Sequence, residues 1–86
     1  MKQLIINADD FGMSREVNEG IKQGINAGII TSVSVMVNMP YYDDAITYLR
    51  KHPEVSIGLH FNITESSPIS SRTEVTTLIR EDGNFF

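Results

Sequence analysis

Cysteine is missing from this 86-residue chain, which excludes disulfides, thiolate metal centres and a cysteine nucleophile and agrees with a reducing compartment. Long apolar runs are missing too. Nothing approaches the roughly 20 residues of a membrane span, and the amino terminus lacks the apolar stretch of a secretory signal. A cytoplasmic location with no membrane partner is the resulting expectation. Basic residues are few, seven Lys and Arg against eleven Asp and Glu for a formal net charge of −4, and they are scattered. An electrostatic grip on nucleic acid needs clustered cations, so nucleic acid is not an expected partner.

What is present is ordinary for a globular domain, 41% hydrophobic and 21% charged, and the length allows one domain at most. Lys2 to Ala8 reads as a fully buried strand, because Leu4, Ile5 and Ile6 are consecutive rather than alternating with polar residues. Ser14 is placed to cap a helix over about 14–27, with Val17, Ile21 and Ile25 near one face and Gly28 to end it. "SVSVMV", residues 32–37, predicts a second strand. A second helix is expected over about 41–51, with Asp43 and Asp44 early, Arg50, Lys51 and His52 late, and Pro53 as its stop. "VSIGLHF" from Val55 predicts a third strand. Beyond Asn62 the signal weakens to an apolar segment, Val75 to Ile79, and a turn at Asp82 and Gly83.

The order β-α-β-α-β predicts an α/β fold whose strands are parallel, with their C-terminal ends at one edge. Ligands of α/β proteins bind at that edge. The residues at the three strand ends are Asp9 and Asp10, then Asn38, then His60 and Asn62. One acidic residue before a helix is commonly just a dipole partner, and a lone histidine after an apolar strand is as often a core residue. Their convergence is harder to explain structurally, so these residues are candidates for a site. His52, at a helix end beside a proline, reads as a solvated residue or a partner of the helix dipole, without a catalytic role. Met13, Met36 and Met39 read as core or pocket wall; Tyr41 or Tyr42 could line a sugar-sized cleft.

Adjacent carboxylates repel, and a divalent ion held by carboxylate oxygen and neutral imidazole nitrogen relieves that repulsion. A bound water acidified by the ion, with a second carboxylate to take its proton, performs metal-assisted hydrolysis. Asp9 and Asp10 would point to opposite faces in a regular strand. Only a turn at Phe11 and Gly12 would let one ligate while the other faces the water. Asp10 and His60 are far apart in sequence, and no compact motif such as HExxH is present.

"NADDFG" at 7–12, "TSVSVMVNMP" at 31–40 and "GLHFNIT" at 58–64 together resemble the amino-terminal part of the YdjC-like carbohydrate deacetylases, the family that includes chito-oligosaccharide deacetylase. The resemblance covers nearly the whole chain. It implies parallel β/α units forming the first part of a distorted TIM-like barrel related to polysaccharide deacetylases, and removal of N-acetyl groups from amino sugars with release of acetate. By position, Asp9 matches the family's catalytic base, Asp10 its metal-binding aspartate and His60 its first metal-binding histidine. Asn38, Tyr41 and Asn62 are candidates for substrate contact by location. The family is usually assigned Mg2+; by ligand softness Zn2+, Mn2+ or Co2+ would serve as well. The expected partner is an acetylated amino-sugar oligosaccharide, and a homodimer is left open.

The family pattern carries a second metal-binding histidine well beyond residue 86, and a β/α barrel takes about 250 residues. Residues 1–86 are therefore expected to be a single partial domain of a longer enzyme, inactive alone. Two alternatives stay open. One is a non-catalytic sugar-binding or assembly module. The other is a receiver-like signalling domain, although His60 stands where the phosphoacceptor aspartate would be.

Overall fold

The alternation of valine with serine in "SVSV" lets a strand bury one face and keep the other polar. The computed structural model describes residues 2–86 and contains β1 (Asn7–Phe11), α1 (Arg15–Asn26), β2 (Ser32–Val35), α2 (Tyr42–Leu49) and β3 (Ser56–Leu59). The strands form one sheet in the order β1-β2-β3, and both pairings are parallel. The expected α/β order and parallel sheet are thus present.

Val33 and Val35 of β2 and Phe11 of β1 are buried against Ile21 and Ile25 of α1 and Ala45 and Leu49 of α2. The paired helix positions recur at four-residue spacing, which stacks them on one stripe. Both helices feed a single cluster and so cover the same face of the sheet. The opposite face is polar: Ser32 Oγ donates to Asn7 Oδ1 at 2.7 Å, and Asn7 Nδ2 donates to Ser34 Oγ at 3.1 Å. Ser14 caps α1 as its position predicts, its Oγ accepting from the Val17 N–H at 3.1 Å. Gly28 follows the helix at φ +75°, a conformation open to glycine.

The first strand departs from expectation. It begins at Asn7, not Lys2, and the apolar run before it is uncovered, with Leu4 and Ile5 75% and 79% exposed. A strand is buried on both faces only between two layers, and β1 is an edge strand with one helical layer beside it. The second helix is shorter than 41–51, but its last turn continues in backbone bonds from Lys51 and His52 to Tyr48 and Leu49. His52 stacks on Tyr48 and pairs with Glu54 at 3.0 Å, away from the strand ends. The expected turn at Asp82 and Gly83 is present, with Gly83 at φ +89° and its N–H on the Arg80 carbonyl. The segment before it holds only an isolated bridge between Ile79 and Phe85. Among the described residues no helix is long and apolar enough to cross a membrane.

Asn18 of α1 is fully buried and ties the connections together. Its Oδ1 accepts from the Gly12 N–H at 2.7 Å, and its Nδ2 donates to the Tyr41 carbonyl and to Asp44 Oδ2, each at 3.0 Å. Every hydrogen-bonding direction of its amide donor is used. Gly12 is at φ +107°, and a Cβ there would stand 3.0 Å from the Met36 carbonyl oxygen, so the turn after β1 admits no larger residue without strain. Asp44 also pairs with Lys22 at 2.9 Å. The Asn18 amide and then the Lys22 ammonium hold its carboxyl below the ordinary value of 3.8.

Asn18→Ala is expected to cost about 1–3 kcal/mol, because it strands the Gly12 N–H in the interior; denaturant midpoints measure this. Asp44, with its native pKa depressed, contributes stability that is present above the unfolded value and lost as pH falls through the native one. Asn18→Ala should therefore also weaken the acid limb of the stability curve below pH 4 to 5, a range set roughly by carboxylate titration. A limb of unchanged steepness would show that Asp44 does not depend on Asn18.

Candidate functional site

A bulge at the end of β1 creates the site. Ala8 pairs with Val33 and Phe11 with Val35, so three steps along β1 match two along β2. In a regular strand Ala8 and Phe11 would face opposite sides; with one residue inserted both join the core. The extra residue is taken up where Asp10 adopts φ +69°. Aspartate is among the side chains that tolerate this left-handed region, at a cost of about 1–2 kcal/mol. Met13 N–H then closes a turn on the Asp10 carbonyl at 3.1 Å, with Phe11 and Gly12 as its two central residues, the turn expected from sequence.

The bulge brings Asp10 to His60, which directly follows β3 and is held there by its N–H on the Val35 carbonyl at 2.9 Å. Asp10 Oδ1 lies 3.1 Å from His60 Nδ1, and the Asp10 N–H points at the same nitrogen at 3.3 Å. Both side chains are partly exposed. Nδ1 cannot satisfy both neighbours with one tautomer. Bare, it accepts from the N–H but sets its lone pair against the carboxylate; protonated, it donates to the carboxylate but loses the N–H. A cation shared by Nδ1 and Oδ1 removes that opposition. Two donors each about 2.1 Å from one ion stand about 3.0 Å apart when they subtend a right angle, so the observed separation suits neighbouring ligands of one divalent cation. Among the described residues no group of three or more His, Cys, Asp and Glu surrounds such a point.

Asp9, next in the chain, lies on the polar face of the sheet, where its Oδ1 accepts from Asn7 Nδ2 at 2.9 Å. Asn38 and Asn62 meet each other, Asn62 Nδ2 donating to Asn38 Oδ1 at 3.0 Å. Their remaining amide hydrogens go to the backbone of the loop after β3. Asn38 donates to the Glu65 and Ser67 carbonyls and Asn62 to the Glu65 carbonyl, while Asn62 Oδ1 accepts from the Thr64 and Glu65 N–H groups. Three of the pair's four amide hydrogens thus go to this loop and the fourth to Asn38 Oδ1. Tyr41 is tied by its backbone N–H to the Gly12 carbonyl at 3.0 Å, and the residue is 41% exposed. A cavity of about 140 Å³ opens beside His60, and Asn38 and Asn62 line it together with the apolar Val37, Leu59, Phe61 and Phe85.

Two contributors were not singled out from sequence. Asn18 shares the α1 stripe with Ile21 and Ile25, and a lone amide among apolar stripe positions is the signal that would have marked it. Asn7 reaches Asp9 two positions away, on the same face, which is the period of a strand.

Residues 3–86 match the family described as YdjC-like protein. A carbohydrate deacetylase 2 of Listeria innocua serovar 6a is 46% identical over 81 residues, 94% of this chain and 32% of that protein. A carbohydrate deacetylase of Thermoanaerobacter pseudethanolicus is 41% identical over 85 residues, 99% of this chain and 34% of its own length. A solved structure from Enterococcus faecalis V583, of a protein to which cellobiose-phosphate cleavage is ascribed, superposes with a TM-score of 0.86 at 36% identity, covering 95% of this chain and 33% of that one. The chain spans about a third of the length of these relatives. With its parallel β/α units and the three strand-end motifs, the chain belongs to the YdjC-like family.

Proposed function

We propose that this chain forms the amino-terminal β/α part of a TIM-like barrel whose complete form removes N-acetyl groups from amino sugars or chito-oligosaccharides and releases acetate. The observation that carries the reading is the approach of Asp10 Oδ1 to His60 Nδ1, 3.1 Å apart although 50 residues separate them in sequence. Relatives named carbohydrate deacetylase support the substrate class. Asp10 and His60 would hold a divalent ion, magnesium by resemblance, with zinc, manganese and cobalt equally suited to a mixed oxygen and nitrogen donor set. When bound, the ion supplies Lewis acidity to the acetamide carbonyl and lowers the pKa of water.

The remaining work belongs to side chains. Asp9, adjacent to Asp10 in the chain and held by Asn7, acts as general base and takes a proton from the attacking water. Tyr41 offers an exposed ring face to a pyranose. Asn38 and Asn62, also placed at the strand ends for substrate contact, act chiefly by bracing the loop beside His60. The competing readings are a sugar-binding module without turnover and, from the Enterococcus faecalis neighbour, cleavage of a phosphorylated disaccharide.

In the complete protein, His60→Ala is expected to lose metal and deacetylation together, measured by metal content and acetate release. Asp9→Asn should lower turnover by about 10²–10⁴-fold and keep the metal. Equal metal loss in both variants would merge or exchange the two aspartate roles. Sugar binding without acetate would leave the binding module, and reducing sugar released from cellobiose phosphate would favour the second cleavage. Tyr41→Ala should raise KM about fivefold with kcat nearly unchanged, the loss of one stacking contact of about 1 kcal/mol. Residues 1–86 alone should bind metal weakly and release no acetate.

A further inference from the structure

We infer that Asn7 is a positioning residue that selects which carboxylate oxygen of Asp9 receives the proton; this rests on the reading of Asp9 as the base. Asn7 sits two residues before Asp9 on the polar face of the sheet, where its amide is fully committed. Nδ2 donates to Asp9 Oδ1 at 2.9 Å and to Ser34 Oγ at 3.1 Å, and Oδ1 accepts from Ser32 Oγ at 2.7 Å. The amide orientation follows from the partners, since an ionised carboxylate only accepts and must meet the NH₂ end. Ser32 and Ser34 lie on neighbouring β2, paired through Asn7 itself with Ser32, so the sheet register fixes the amide in three directions.

The consequence is an asymmetry in the base. Asp9 Oδ1 already accepts an amide hydrogen, and a proton placed on that oxygen would oppose it. Among the described residues Oδ2 accepts no hydrogen bond, and it is the oxygen left to react. In the step, the attacking water's O–H bond breaks toward Asp9 Oδ2, its oxygen forms the new C–O bond, and the carbonyl π pair moves onto the carbonyl oxygen. Asn7 touches neither water nor substrate in this scheme. Its effect passes through the orientation of one carboxylate.

The test uses the complete protein and three variants. Asn7→Ala should lower kcat by about 10–100-fold, the usual cost of losing a hydrogen-bond partner one shell out from the reacting group, with KM and metal affinity within about twofold of the parent. Asn7→Asp keeps the shape but turns the donor into a second anion, and should lose at least as much. A purely space-filling residue would tolerate that change, so wild-type kcat in Asn7→Asp overturns the inference. In an Asp9→Asn background, Asn7→Ala should cost nothing further; an equal loss in both backgrounds also overturns it. Asp9→Ala should move the Asn7 side-chain amide resonances, read by NMR without any turnover, and unmoved resonances would show that the contact is absent. Full activity in Asp9→Asn alone would instead remove the base assignment on which the inference stands.

Discussion

One inserted residue organises the site. Phe11 must reach the core that Val33 and Val35 share with the helices, and Ala8 three positions earlier faces the same way. Strand periodicity forbids that unless the chain spends an additional residue between them. The insertion at Asp10 meets the packing demand and at the same time lifts its carboxylate and its N–H out of the ladder, toward His60. The buried phenyl ring on one side thus holds the polar turn on the other. A left-handed aspartate costs about 1–2 kcal/mol, which the roughly 1.5–3 kcal/mol gained by burying one large apolar side chain offsets.

Amides secure what the bulge exposes. Asn18 fastens the Gly12 turn to the start of α2 from within the core, Asn7 holds Asp9 from the polar face, and Asn38 with Asn62 braces the loop that follows His60. Each has both a donor and an acceptor end, so each can satisfy an N–H and a carbonyl or carboxylate together. Three separate connections are thereby held rigid around two side chains that approach from different strands.

Much of this was legible in the chain. The valine and serine alternation of β2, the Ser14 cap and the glycine after α1 each follow from local chemistry, and all three appear where their residues predict. The approach of Asp10 to His60 was legible because parallel topology brings strand ends to one edge. The start of β1 was not, since a run of Leu4, Ile5 and Ile6 looks the same whether or not a second layer covers it. Nor was the bulge, because a strand shows the register of its partner only after pairing. The hydrogen bonds of Asn38 and Asn62 to the loop after β3 were not legible either, because that loop has no periodic pattern.

The sheet also defines what this set of units can and cannot supply. Ile57 and Leu59 pair in register with Val33 and Val35, so they lie on the helix-covered face, yet they are 55% and 65% exposed. Right-handed β/α succession places each connecting helix over the strands it joins, and the two helices here reach β1, β2 and one side of β3. Ile57 and Leu59 thus form an apolar strip on the helix side of the sheet that neither α1 nor α2 covers, next to the edge where Asp10 and His60 meet.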